Sequence, residues 1–234
     1  MPVRADDLVL VQGIRDTRAT LAEWNRRPLA VVGDWVAASS LIALALLTAV
    51  LAVATLTTPD PTPVLMPGLQ HPAGIGDVGE VLLRNSLVLA LHGFACVAGF
   101  IAGSSLPLTA ERHTGAWRWV HEKAGPLAIG FVVCATAFSL LTQGWVLGGA
   151  AATLSGQLDV SPALLVLGIL PHAVPELIAL FLPLAAWMIA SRRGEWEQLL
   201  AATFVTVGIA APVLVLASAV EVYVTPHVLR SLAG

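Results

Sequence analysis

WVAASSLIALALLTAVLAVATLT, residues 35 to 57, contains no Asp, Glu, Lys or Arg. A helix of ~20 apolar residues crosses the hydrocarbon core of a bilayer, so this block is long enough to span one. Similar apolar blocks run from about 81 to 106, 126 to 151, 162 to 190 and 199 to 222. The reading is an all-α fold, a polytopic transmembrane helix bundle of five spans.

Composition agrees. The 234 residues are 57% hydrophobic and 12% charged, against roughly a quarter charged in a soluble domain. Mean hydropathy is +0.83, which makes the lipid bilayer the main solvent. A net charge of −3 with no basic tract leaves nucleic acid out as a partner. Cys96 and Cys134 both fall inside apolar blocks, where cysteine packs as a small hydrophobe, and neither a disulfide nor a redox motif is expected. Lys123 is the only lysine beside a set of arginines, a bias typical of a GC-rich genome. The first thirty residues lack the apolar core of a cleavable signal peptide, so the first span is expected to direct insertion.

Residues 1 to 34 carry Arg4, Arg15, Arg18, Arg26 and Arg27, with Leu8, Val11, Ile14, Leu21 and Trp24 spaced for one helix face. They form either an amphipathic segment on the membrane surface or a solvated cytoplasmic arm. The Pro- and Gly-rich stretch from Pro59 to Glu80 has no basic residue before Arg84 and reads as an external loop. The turn from Glu111 to Lys123 carries Arg112, Trp117, Arg118 and Trp119, and Arg192 and Arg193 close the fourth block. Basic residues therefore mark alternate loops, which puts the N-terminus in the cytoplasm and the C-terminus outside the cell membrane. The expected organisation is an arm over 1–34, a bundle over 35–226 and a short external tail over 227–234. The fourth block holds Pro171, Pro175 and Pro183, and a helix break at Pro171 and Pro175 is expected, giving a half-helix followed by a full span.

Ionisable groups inside spans cost roughly 2.5 kcal/mol or more at the bilayer centre, so they usually turn inward and find partners. The intramembrane polar set is His172, Glu176, Glu221, Asn85 and His92, supported by Gln143 and Tyr223. With the orientation above, all five are expected to approach one another in the outer half of the bundle. His172 and Glu176 share a helix face if the helix is continuous between them. A plain structural account exists for each residue. His172 and Glu176 could pair with each other, Glu221 could sit at an interface, His92 could bridge two helices and Asn85 could cap one. A metal or proton site is the alternative. No His-Glu-x-x-His, Cys pair or Gly-x-Ser-x-Gly pattern accompanies it, so no catalytic residue or cofactor is assigned and a metal is left undecided.

Leu170-Pro171-His172-Ala173-Val174-Pro175-Glu176-Leu177 resembles the Pro-His-Gly-x-x-Glu-Leu signature of the stage II sporulation protein M family of bacterial membrane proteins. Arg84-Asn85-Ser86 with Gly93-Phe94 and Gly99 to Gly103, and the closing Glu221-Val222-Tyr223-Val224-Thr225-Pro226, are also similar to the family. Ala173 stands where the family has glycine, and Pro175 is additional. The resemblance covers about residues 35 to 226. It implies about five spans and, in endospore formers, membership of an engulfment complex with peptidoglycan-degrading partners. It carries over His172, Glu176 and Glu221, with Asn85 beside them.

Two functions follow, with a third behind them. The first is a non-enzymatic scaffold that recruits membrane protein partners such as envelope enzymes, with self-association into a homo-oligomer also expected. The alternative is a small permease or channel subunit using the polar cluster at a discontinuous helix. A membrane-embedded metal-dependent hydrolase ranks last. A wet cavity at the cluster would favour transport, and a dry, fully paired cluster would favour the scaffold.

Overall fold

The computed structural model describes residues 9–105 and 114–234, without side-chain detail for 9, 10, 12, 105 and 116–123. Arg4, Leu8 and Arg112 lie outside the described residues, as do the side chains of Trp117, Arg118, Trp119 and Lys123. The helices are α1 (Val9–Trp24), α2 (Pro28–Leu56), α3 (Ile75–Phe100), α4 (Gly115–Leu158), α5 (Pro162–Arg193), α6 (Leu199–Tyr223) and α7 (Thr225–Leu232). A π-helical turn, Ile101–Ser105, extends α3, and a 3₁₀ turn, Trp196–Gln198, leads into α6. Among the described residues, five stretches are long and apolar enough to cross a membrane: Pro28–Leu56, Ile75–Ser104, Ala124–Gln157, Pro162–Arg193 and Trp196–Tyr223. The fold is an all-α bundle of a multi-pass membrane protein.

Local chemistry sets the helix ends. The Ser161 hydroxyl accepts the Leu164 N–H at 3.2 Å, and Pro162 follows it at the first helical position, so α5 starts on a cap and a residue that needs no donor. At the other end Gly194 takes φ 73°, which lets the Glu195 N–H turn back to the Ala190 carbonyl at 3.0 Å. The Asp77 carboxylate accepts the Gly74 N–H at 2.8 Å in the first turn of α3, where the helix dipole favours a negative group.

The expected break at Pro171 and Pro175 does not occur: α5 is one 32-residue helix from Pro162 to Arg193. Each internal proline removes one backbone bond and crowds the preceding turn, costing about 3 kcal/mol. Opening the helix in an apolar layer would instead leave about four carbonyls and four N–H groups without partners. Continuity is the cheaper arrangement, and α4 and α6 likewise run through Pro126 and Pro212. Other boundaries also differ from the expected ones. The first span begins at Pro28, α3 starts inside the expected external loop, α4 continues to Leu158, and the expected tail is largely the helix α7.

The chain divides into two compact units. One draws on the chain up to Ala38, on Leu89–Thr136 and on Leu182–Ile209. Its core joins Trp35, Leu182, Ala185, Ala186 and Ala202, with Trp24, Val31 and Ile189 packed on them. Trp24 meets Trp35 edge to face at 5.1 Å and 78°, a favoured aromatic geometry. The amphipathic stretch Val9–Trp24 is therefore a helix held against protein, with Gly13 facing Leu200 and Phe100. Cys96 is buried and its Sγ donates to the Pro183 carbonyl at 3.1 Å; both cysteines are free thiols.

The other unit draws on Ser39–Val88, Ala137–Phe181 and Ala210–Gly234. Here α4 and α2 approach at Gly148, where a Cβ would stand 2.5 Å from Val53 Cβ and 3.0 Å from the Val50 carbonyl. Only a residue without a side chain permits that approach. Gly148→Ala should therefore destabilise the protein by at least about 1 kcal/mol through overpacking against backbone, seen as a lower midpoint in detergent thermal unfolding. The loop after α2 is tied to α4 by Asp60 N–H donating to Thr153 Oγ1 at 3.0 Å. Backbone and hydroxyl hydrogen bonds from Thr62 hold the Asp60 carboxyl below the usual carboxylate range.

Candidate functional site

Within this second unit four helices line an open cavity of about 440 Å³. Arg84 and Asn85 reach it from α3, Ser139, Thr142 and Gln143 from α4, Glu176 from α5 and Glu221 from α6. Val146, Leu147, Leu177 and Leu180 supply apolar wall. This is an unusual set to find between apolar spans, because each ionisable side chain placed there is costly unless it has partners.

The partners are incomplete. Arg84 is held by Glu80 one turn earlier at 3.1 Å, in an exposed pair, and its charge also acts on Glu221. Gln143 Nε2 donates to Ser139 Oγ at 3.0 Å. The Asn85 amide faces the Glu176 carboxyl, and Glu221 lies within electrostatic reach of it. Yet Asn85 Nδ2 and Glu176 Oε2 are both shielded from solvent with no hydrogen bond of normal geometry. One carboxyl oxygen and one amide nitrogen thus lie at the cavity without a hydrogen bond of normal geometry. A small polar guest that both accepts and donates hydrogen bonds would satisfy both.

His172 takes a different place. It is 7% exposed, one turn from Glu176 on the continuous α5, and its Nδ1 lies 2.7 Å from Thr225 Oγ1. The same hydroxyl lies 3.3 Å from the Val220 carbonyl. A hydroxyl has one proton: donated to Val220, it leaves Thr225 to accept from an Nδ1–H tautomer. The imidazole therefore pins the junction of α6 and α7 instead of pairing with Glu176. Arg230 on α7 donates to the Gly68 carbonyl, and Leu229 and Leu232 cover Gly168 of α5.

Of the five residues expected to converge, Asn85, Glu176 and Glu221 line one cavity, and His172 stands beside it without lining it. His92 belongs to the first unit, fully buried, and takes no part in this site. The expectation failed for His92 because span length and orientation give depth, whereas the direction of a side chain around its helix depends on packing. Tyr223 is 42% exposed and not among the lining residues. Sequence reasoning undervalued Ser139 and Thr142, although with Gln143 they form a polar stripe at one-turn spacing in an otherwise apolar span. Among the described residues no three His, Cys, Asp or Glu side chains come together as metal ligands.

No curated protein and no solved structure matches the chain. A family model described as stage II sporulation protein M matches residues 124–226, a stretch that holds His172, Glu176, Glu221, Thr225 and the Ser139–Gln143 stripe, while Arg84 and Asn85 precede it. Over residues 124–226 the chain is similar to the stage II sporulation protein M family.

Proposed function

We propose that this chain is a small permease or channel subunit whose solute pathway includes the cavity lined by Glu176, Glu221 and Asn85, with the N-terminus cytoplasmic. The observation that carries this reading is the pair of unsatisfied polar atoms, Glu176 Oε2 and Asn85 Nδ2, at a cavity of about 440 Å³ among membrane-spanning helices. A cluster that only held the helices together would be expected to use its hydrogen-bonding capacity on itself, since leaving a buried polar group unmade costs about 1–3 kcal/mol. Polar residues kept at such expense inside a membrane commonly mark a pathway or proton relay.

A scaffold is the second reading, and one feature favours it. The most apolar window of the Ala124–Gln157 span is only 11% buried, and Leu127, Phe131, Phe138, Leu141 and Trp145 are exposed on it. That helix offers a long apolar face to lipid or to a membrane partner.

Reconstitution separates the two. Proteoliposomes of the wild type should pass protons, alkali cations or small neutral solutes faster than empty vesicles, and Glu176→Gln and Glu221→Gln should each lower that flux by roughly tenfold, the equivalent of 1.4 kcal/mol. Wild-type vesicles no more permeable than empty ones to all three classes would sink the pathway and leave the scaffold.

A further inference from the structure

The first unit contains a second cavity, of about 450 Å³, at the ends of two candidate spans, where α2 begins at Pro28 and α5 ends at Arg193. Its floor is apolar and aromatic: Trp24, Trp35, Ala186 and Ile189. Its rim is charged in both signs, with Arg26, Arg27 and Arg193 set against Glu23, Asp34 and Glu195. Arg193 is committed to Asp34 at 3.1 Å. The guanidinium groups of Arg26 and Arg27, both exposed, make no ion pair among the described residues, and neither do the carboxylates of Glu23 and Glu195.

That leaves two free cations and two free anions around an apolar floor, at the level where spans leave the hydrocarbon layer. An anionic headgroup would meet Glu23 and Glu195 unfavourably, and a purely cationic one would meet the arginines. A zwitterion satisfies both halves. Arginine presents a planar fork suited to phosphate oxygens, and a primary ammonium offers three donors for carboxylates. The acyl chains of the same molecule would continue into the bilayer, and tryptophans at this depth are the usual companions of headgroups.

We propose that this cavity binds one phospholipid with a phosphoethanolamine headgroup from the surrounding bilayer, its phosphate on Arg26 and Arg27 and its ammonium on Glu23 and Glu195. The bound lipid closes the turn between α1 and α2 against the end of α5. The site is independent of the transport reading, since none of its residues lines the Glu176 cavity.

The test is native mass spectrometry of the full chain released from nanodiscs made of equal parts phosphatidylethanolamine, phosphatidylcholine and phosphatidylglycerol. The wild type should retain one phosphatidylethanolamine in preference to the other two, and Arg26→Gln with Arg27→Gln should reduce its retention roughly tenfold. Glu23→Gln with Glu195→Gln should instead abolish the preference over phosphatidylcholine, whose quaternary ammonium has no hydrogen to donate, while phosphate binding persists. These side chains are exposed or half-buried at the surface, and unchanged thermal midpoints will show that both double variants fold. Equal retention of the three lipids, preference for phosphatidylglycerol, or wild-type retention by the arginine variant would each overturn the proposal. Displacement by water-soluble glycerophosphoethanolamine at equal concentration would also overturn it, because that molecule has nothing to anchor it beside the apolar floor.

Discussion

Glu176→Leu should unfold at a higher temperature than the wild type and carry no flux. In the native protein Glu176 Oε2 is shielded from solvent without a hydrogen bond of normal geometry, and the carboxyl faces the Asn85 amide with Glu221 in electrostatic reach. Leucine is of similar size, removes the poorly satisfied oxygen, and adds apolar surface beside Leu177 and Leu180. Replacing an unpaired buried polar group by a well-packed apolar one commonly stabilises, here by about 1–3 kcal/mol. A residue retained against that gradient is the signature of a site that trades stability for activity. Thermal unfolding in detergent and proteoliposome flux are measured on the same preparation. A lower melting point for the leucine variant would mean that the carboxyl holds the helices together, and the pathway reading would fall with it.

The second large effect is expected at Thr225. Thr225→Val keeps the shape and removes the hydroxyl that His172 Nδ1 meets at 2.7 Å and that also reaches Val220. The imidazole is then buried without its partner, and the loss should be about 1–3 kcal/mol. Because α7 begins at this residue, the damage should appear there first, as faster amide exchange over 225–232. Thr225→Ser should restore most of the stability. A double-mutant cycle with His172→Leu should return a coupling of about 0.5–3 kcal/mol; a value near zero would show that the contact contributes nothing.

This pair also explains why the Pro-His-Ala-Val-Pro-Glu-Leu segment reads so well as a motif and so poorly as a single site. His172 and Glu176 are one helical turn apart, yet one locks α7 in place and the other faces the cavity. Their spacing was legible in the sequence. Their division of labour was not, because it depends on Thr225, which lies 53 positions further along the chain from His172.

The membrane class, the number of spans and four of the cavity residues follow from the chain's chemistry alone, since a long uncharged block has only one favourable environment and a polar group inside such a block has few tolerable places. Tertiary structure decided the rest. It kept α5 continuous through Pro171 and Pro175, because in an apolar layer two new helix ends cost more than the bonds that the prolines delete. It turned His92 into a different unit from Glu176 and brought Ser139 and Thr142 to the cavity, since the rotation of each helix about its axis is set by close contacts such as Gly148 against Val50 and Val53. Those contacts join residues far apart in sequence, where periodicity has no reach.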